Sequence, residues 1–305
     1  MQRQLETTPR RPRRRFARGV AALSLLACVA CSSSAARPAP VAVSGAPQSA
    51  ELAVATWNMC SVEQWGCGKT GGPKEKFQQL RRLVVDHEVR VLLLQEVCSQ
   101  DLESAAEQLG PDWHSVFEPY EEVDAAGART DVDCTGRGRG RAGYGLLAAS
   151  PLADTESVAV QQPTLGLHRG ILCARVPVQD VRVCNAHIAL PESDALHPEW
   201  EFRDNQLRSL IEATADDART VVGGDFNSPP PGSANPVAWI WPPQMYGTYR
   251  ECDQKGDSRE GRPTYADGTK IDYLFTLLPR TGCTVVDTKA SDHRPLVMRV
   301  SRSGT

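Results

Sequence analysis

No apolar run in this 305-residue chain reaches the roughly 20 residues that a membrane-spanning helix needs; the stretch Gly19 to Ala30 covers about 12. A retained transmembrane anchor is therefore disfavoured. The body of the chain also lacks a basic surplus. Without the seven arginines and one glutamate of residues 1–27, the 34 basic and 37 acidic side chains become 27 against 36. Such an acidic surface excludes a broad electrostatic track along nucleic acid, because phosphate neutralisation supplies most of that affinity. Contact with a polyanion has to be local and metal-aided. No internal repeat, linker or charge run divides residues 51–302, so the chain reads as one large domain with a full core.

The arginine-rich start and the short apolar run read as an export signal over residues 1–31. Arg13-Arg14-Arg15-Phe16 fits a twin-arginine signal. Leu25-Leu26-Ala27-Cys28, or Val29-Ala30-Cys31 before three serines, fits a bacterial lipoprotein box, with Cys28 or Cys31 carrying the lipid; an ordinary secretory peptide is the alternative. Residues 32–50, rich in Ser, Ala and Pro, read as a disordered tether. The expectation is an exported monomer, extracellular or lipid-anchored on the outer face of a bacterial membrane.

Eight cysteines remain in the body: Cys60, Cys67, Cys98, Cys134, Cys173, Cys184, Cys252 and Cys283. Their even number and an oxidising compartment point to disulfides. No C-x-x-C spacing occurs among them, which puts zinc well behind. Residues 171–176 and 181–186 read as a hairpin, and pairing Val176 with Val181 sets Cys173 opposite Cys184. Proximity suggests Cys60 with Cys67, Cys98 with Cys134, and Cys252 with Cys283.

Strands are expected at 52–57, 90–95, 113–117, 144–149, 157–160, 220–224, 270–276, 283–287 and 296–300, beside the hairpin. Helices are expected at 74–87, at 99–109 with Ser99 as N-cap and Gly110 as stop, and at 200–215. Strands dominate while helices interleave irregularly, which gives a mixed α/β layering. Segments 59–73, 118–142 and 228–269 are read as a rim, with Arg137 to Arg141 a mobile, solvated Gly/Arg loop.

Five motifs each put a polar residue behind a strand: Thr56-Trp57-Asn58, Leu93-Leu94-Gln95-Glu96, Asn185-Ala186-His187, Gly223-Gly224-Asp225-Phe226-Asn227 and Ser291-Asp292-His293. Together they supply what metal-assisted phosphate-ester hydrolysis requires. Asn58 and Glu96 offer oxygens suited to a hard cation such as Mg²⁺. A carboxylate so close behind an apolar run is costly unless something pairs with it. Asp225 and Asn227, two apart on an extended chain, point the same way. Adjacent residues point oppositely, so Asp292 can face the metal while Asp272 orients His293 as a base toward water. His187 can donate to a phosphate oxygen or the leaving group, and Arg169 can brace the phosphate bidentately.

This ordered set resembles the endonuclease/exonuclease/phosphatase superfamily across about residues 51–302. The resemblance implies a four-layer α/β (α+β) sandwich: two mixed β-sheets face to face, helices outside, the site at one edge. It implies a divalent ion, Mg²⁺ with Mn²⁺ or Ca²⁺ as substitutes, held mainly by Glu96 with Asn58 and Asp292. His293 with Asp272 would activate water, Asp225 and Asn227 would position it and the phosphate, and His187 would steady the phosphoryl oxygens. Asn185-Ala186-His187 stands where apurinic-site endonucleases carry a Tyr-x-Pro-Asn segment, which favours the deoxyribonuclease, sphingomyelinase and phosphatase branches. No acid is evident as a partner for His187, and Leu146 stands where relatives often place Asn. The expected activity is phosphodiester cleavage of nuclease type. Alternatives are a sphingomyelinase-like or phosphoinositide phosphatase acting on lipid headgroups, and a non-catalytic binding module.

Overall fold

Alternation along each strand sorts the apolar residues into three cores. On β1 (Glu51–Asn58), Leu52 and Val54 join one core while Ala53, Ala55 and Trp57 join another. A strand's successive side chains face opposite ways, so a sheet buried on both sides needs apolar residues at nearly every position. The computed structural model describes residues 50–232 and 234–302. The export segment, the tether up to residue 49 and the lipidation candidates Cys28 and Cys31 lie outside the described residues.

After β1 come α1 (Pro73–Asp86), β2 (Val89–Cys98), α2 (Ser99–Leu109), β3 (His114–Pro119), β4 (Glu121–Val123), β5 (Arg129–Asp131), β6 (Ala142–Ala148), β7 (Ala153–Val158), β8 (Gly166–His168), β9 (Gly170–Val176), β10 (Val181–His187), α3 (Arg203–Glu212), β11 (Thr220–Asp225), β12 (Arg250–Glu251), β13 (Asp272–Thr276), β14 (Arg280–Val285) and β15 (Leu296–Ser301). One six-stranded sheet runs β14-β15-β1-β2-β6-β3 and the other β12-β13-β11-β10-β9-β7; β5-β4-β8 form a small third sheet. Both large sheets are mixed, with β1 parallel to β2 and β10 parallel to β11.

Between the sheets pack Val54, Leu93 and Leu146 from one and Leu172, Val183, Val221 and Leu274 from the other. Helices α1 and α2 cover the outer face of the first sheet through Leu80, Leu83 and Leu102. Leu207 and Leu210 of α3 cover the second, over Ile171, Val222 and Phe275. The order is helix, sheet, sheet, helix, as the resemblance implies. Among the described residues no helix is long and apolar enough to cross a membrane.

The expected 171–186 hairpin has the expected register, Val176 against Val181 and Cys173 against Cys184. All four cysteine pairs are disulfides: Cys60–Cys67, Cys98–Cys134, Cys173–Cys184 and Cys252–Cys283.

Several boundaries differ from expectation. Ser99 is the first helical residue of α2, not its cap; Cys98 holds the N-cap position, and the Ser99 hydroxyl accepts the Arg141 N–H instead (3.1 Å). The helix expected at 200–215 is confined to Arg203–Glu212; Glu201, just ahead of it, accepts the Arg203 N–H (3.0 Å) and pairs with its guanidinium (2.6 Å). Strands expected at 157–160 and 283–287 lie a few residues earlier, where β9 and β15 offer partners. The Arg137 to Arg141 loop is not freely solvated either. Arg139 is buried and bonded to Asp101 (2.7 Å) and Glu63 (3.4 Å), and Arg141 pairs with Asp131 (2.6 Å).

Candidate active site

At one end of the sandwich the inward-facing rows change from apolar to polar. On β1 the row Leu52, Val54, Thr56 ends at Asn58; on β10 Val181, Val183, Asn185 ends at His187; on β11 Val221 and Gly223 lead to Asp225; on β13 Leu274 precedes Asp272 in space. Register completes the arrangement. His187 lies opposite Asp225, and Asp225 opposite Asp272, so three functional side chains share one cross-strand row. Directly opposed residues bring their side chains to about 5 Å.

One row deeper, the Gln95 amide nitrogen donates to Thr56 Oγ1 (3.1 Å) and to Asn185 Oδ1 (2.6 Å). Asn185 in turn donates to the Leu94 and Gly145 carbonyls (both 2.8 Å). These bonds join the two sheets beneath the site.

Glu96 reaches the site through a bulge. A regular strand would aim it away from Gln95, but the β2 register shifts between Leu94 and Val97, and Glu96 takes a left-handed backbone with φ of 49°. Such a conformation costs a non-glycine residue on the order of 1 kcal/mol and gathers at functional sites. Asn58 receives the carboxylate: its amide nitrogen donates to Glu96 Oε1 (3.1 Å) and Asp225 Oδ2 (3.0 Å), while its oxygen accepts the Cys60 N–H (3.0 Å).

His293 presents Nδ1 to Asp272 at 2.9 and 3.1 Å and Nε2 toward Asp225 Oδ2 at 3.8 Å. Its own backbone is fixed by the Trp57 indole on its carbonyl (3.2 Å) and by Ser291 Oγ on its N–H (3.0 Å). Asp292 lines the same cleft as Glu96, Asp225, His187, Arg169 and Asn227, a space of about 570 Å³ also bounded by Trp65, Leu167 and Tyr265. Asn227 ties itself down by donating to the Ile188 carbonyl (3.0 Å) and to Asp225 through its N–H (3.0 Å). Arg169 is buried, with its guanidinium 6.0 Å from the Trp65 ring. A larger cleft of about 690 Å³ near Cys252 and Cys283 holds Arg262, already paired with Asp253 (2.5 Å), and no imidazole.

Electrostatics follow from burial. Desolvation raises Glu96 and lifts Asp225 to about 6, with repulsion from Asp292 adding to the first and from Asp272 to the second. Burial alone would depress His293, yet the Asp272 and Asp225 carboxylates carry it up to about 10. Burial pushes His187 well below the usual imidazole range, with Arg169 and His293 acting in the same direction. The Glu96 and Asp292 carboxylates offer only oxygen, with burial opposing the bare charge of Glu96. Such a donor pair fits a hard divalent cation.

Two residues of this site escape the sequence reading. Tyr120 is fully buried, accepts the Glu96 N–H (3.1 Å) and meets His187 Nδ1 at 2.5 Å, so the partner on the Nδ1 side of His187 is a phenol, while Nε2 faces Asp225 Oδ2 at 3.6 Å. It follows the end of β3 at Pro119, and nothing in its local pattern points 67 residues ahead. Lys76 is buried and donates to the carbonyls of Met59 (2.5 Å) and Ala290 (2.7 Å) and to Thr70 Oγ1 (3.1 Å), which joins the segments behind Asn58 and ahead of Asp292. A signal existed for this one: Lys76 stands in helical register with Leu80 and Leu83 on the apolar face of α1.

The family model described as the endonuclease/exonuclease/phosphatase family matches residues 55–293. Among solved structures, the catalytic domain of human Nocturnin with bound sulfate superposes with a TM-score of 0.61 at 17% identity, covering 83% of this chain and 94% of that one. A 3'-5' exonuclease from Neisseria meningitidis gives 0.58 at 16% identity, covering 82% of this chain and all of its own. A Neisseria 3' phosphatase bound to a product DNA hairpin gives 0.55 at 16%, covering 82% and 99%. No curated protein matches the chain.

Proposed function

The chain belongs to the endonuclease/exonuclease/phosphatase family, a family of phosphoesterases, and from that premise we propose a divalent-metal-dependent phosphodiesterase of nuclease type, exported in an oxidised form. The observation that carries this reading is the shared row of His187, Asp225 and Asp272 facing Glu96 and Asn58 across the sheet gap, with His293 above it.

In this proposal Glu96 and Asp292 would hold the cation, Mg²⁺ or an oxygen-seeking substitute such as Mn²⁺ or Ca²⁺. Asn58, expected from the sequence as a third ligand, turns its nitrogen to the carboxylates and its oxygen to the Cys60 N–H, and so sets the angle of Glu96 instead of donating an oxygen to the ion. The bound ion would supply polarisation of the phosphoryl oxygen. His293, aligned through Nδ1 by Asp272, takes a proton from water at Nε2, and Asp225 and Asn227 orient that water and the phosphate. Arg169 and His187 donate to phosphoryl oxygens as charge accumulates there.

Nucleic acid is the favoured substrate because the similar structures include a 3'-5' exonuclease and a phosphatase with a DNA product. A lipid headgroup is the second reading. Leu190 on the cleft wall, with Leu196 and Trp200 further along the same loop, is exposed at 44%, 61% and 44%, an arrangement suited to an apolar interface. Purified protein with Mg²⁺ should degrade plasmid DNA or RNA, and EDTA should silence it. Headgroup release from sphingomyelin or phosphoinositide vesicles with intact nucleic acid would transfer the reading to lipid. Full turnover after chelation would refute the metal dependence.

A further inference from the structure

Tyr120 has one hydroxyl hydrogen and two polar neighbours. Its oxygen accepts the Glu96 backbone N–H at 3.1 Å, a donor whose role is fixed by chemistry. The second neighbour is His187 Nδ1 at 2.5 Å, and the phenol is completely buried among Trp65, Tyr144 and the His187 ring. If Nδ1 carried a proton, the oxygen would face two N–H donors and the hydroxyl hydrogen would be stranded in a dry site. Leaving one buried polar group unmatched is destabilising. The opposite arrangement satisfies every atom: Tyr120 donates to Nδ1, and the imidazole proton resides on Nε2. The far side of the ring agrees. Nε2 looks toward Asp225 Oδ2 at 3.6 Å, where an N–H is attracted and a lone pair would be repelled.

We infer that Tyr120 locks His187 in the tautomer protonated at Nε2, making His187 a neutral hydrogen-bond donor to the phosphate or leaving oxygen and unable to act as a base or a metal ligand there. The inference deepens the hydrolase reading and rests on it for the identity of the acceptor. Burial disfavours charge on both partners, raising Tyr120 well above the phenol range and lowering His187. Tyr120 is a positioning residue in this scheme. Because the same oxygen holds the Glu96 N–H, it also couples the left-handed turn at Glu96 to the orientation of the His187 donor. Two groups from different sheets are thereby set by one hydroxyl.

Long-range proton–nitrogen NMR on protein labelled with ¹⁵N-histidine tests this directly, with His187 assigned from the signals lost in His187→Gln. At neutral pH the wild type should show a protonated Nε2 and a bare Nδ1. Tyr120→Phe should lower the melting temperature, because the Glu96 N–H loses its acceptor, and should also give a mixed or reversed tautomer, a change that a purely structural role would not produce. A wild-type signal showing protonated Nδ1, or an imidazolium, would overturn the inference whether or not the variant folds. If phosphoester cleavage is found, Tyr120→Phe should lower kcat about tenfold with KM unchanged, and His187→Gln, which still offers an N–H, should retain more activity than His187→Ala, expected to lose on the order of a hundredfold. The NMR result stands independently of turnover, so it supports the tautomer lock even if no phosphoester is cleaved.

Discussion

His293 is held by two carboxylates, and its proton is correspondingly hard to remove. With a folded value near 10, it accepts a proton from water only once that proton has left, so the rate should rise with pH. Divalent cation, adding positive charge nearby, should bring the midpoint below 10. Asp272→Asn should move it lower still while reducing kcat by about a hundredfold, read from pH–rate profiles at saturating Mg²⁺. Lys76 has the opposite sign. Burial lowers it from 10.5 to about 8, so the unfolded chain binds more protons between those values and stability gains as pH rises through that window. Lys76→Met should flatten this rise in urea titrations and loosen the segments around Asn58 and Asp292, weakening Mg²⁺ affinity. The pairing of His293 with Asp272 was legible in the chain because a carboxylate on an apolar strand demands a partner. Tyr120 was not, since a phenol is at ease in a core and announces nothing until its hydroxyl is located.

Elements were readable where period and partner agreed. Strands β1, β2, β11 and β15 follow apolar runs whose neighbours on both faces are apolar too, and the β9–β10 hairpin had its register set by residue parity. Short strands β4, β5, β8 and β12 gave no pattern, because two or three residues are too few to show a period and their pairing is decided by tertiary neighbours. The bulge in β2 was equally hidden: Leu93-Leu94-Gln95-Glu96 placed the carboxylate near the strand's end but not the backbone reversal that aims it inward. At the end of β11, Gly224 has φ of 142°, and an added Cβ would stand 1.7 Å from the Ala186 carbonyl oxygen. Gly224→Ala should therefore cost about 3 kcal/mol or more in urea unfolding and push β10 from β11, separating His187 from Asp225.

At the scale of the whole molecule the disulfides act on the unfolded chain more than on the site. Cys98–Cys134 spans 36 residues and lies in the core between the sheets, so the double Ser variant should lose about 4 kcal/mol by chain entropy, measured from the urea midpoint together with the slope, which should steepen as the unfolded chain opens. Layer order was implied by the family resemblance, while the apolar pattern by itself reached only a mixed α/β layering; the depth at which the rows turn polar was legible from neither, because it depends on where two sheets meet.

The amide bridge from Gln95 to Asn185 has a mechanical consequence. Apolar packing tolerates a range of separations, whereas a hydrogen bond keeps its length within a few tenths of an ångström. The bridge thus works as a spacer of set thickness, and changes in filling behind it are absorbed as lost stability, not as a shift of the reacting groups. Leu146→Ala, deep in the same gap, should cost about 2–5 kcal/mol yet leave KM alone, while Asn185→Ala, which strips three buried hydrogen bonds, should destabilise the fold and in addition let the gap drift and degrade turnover.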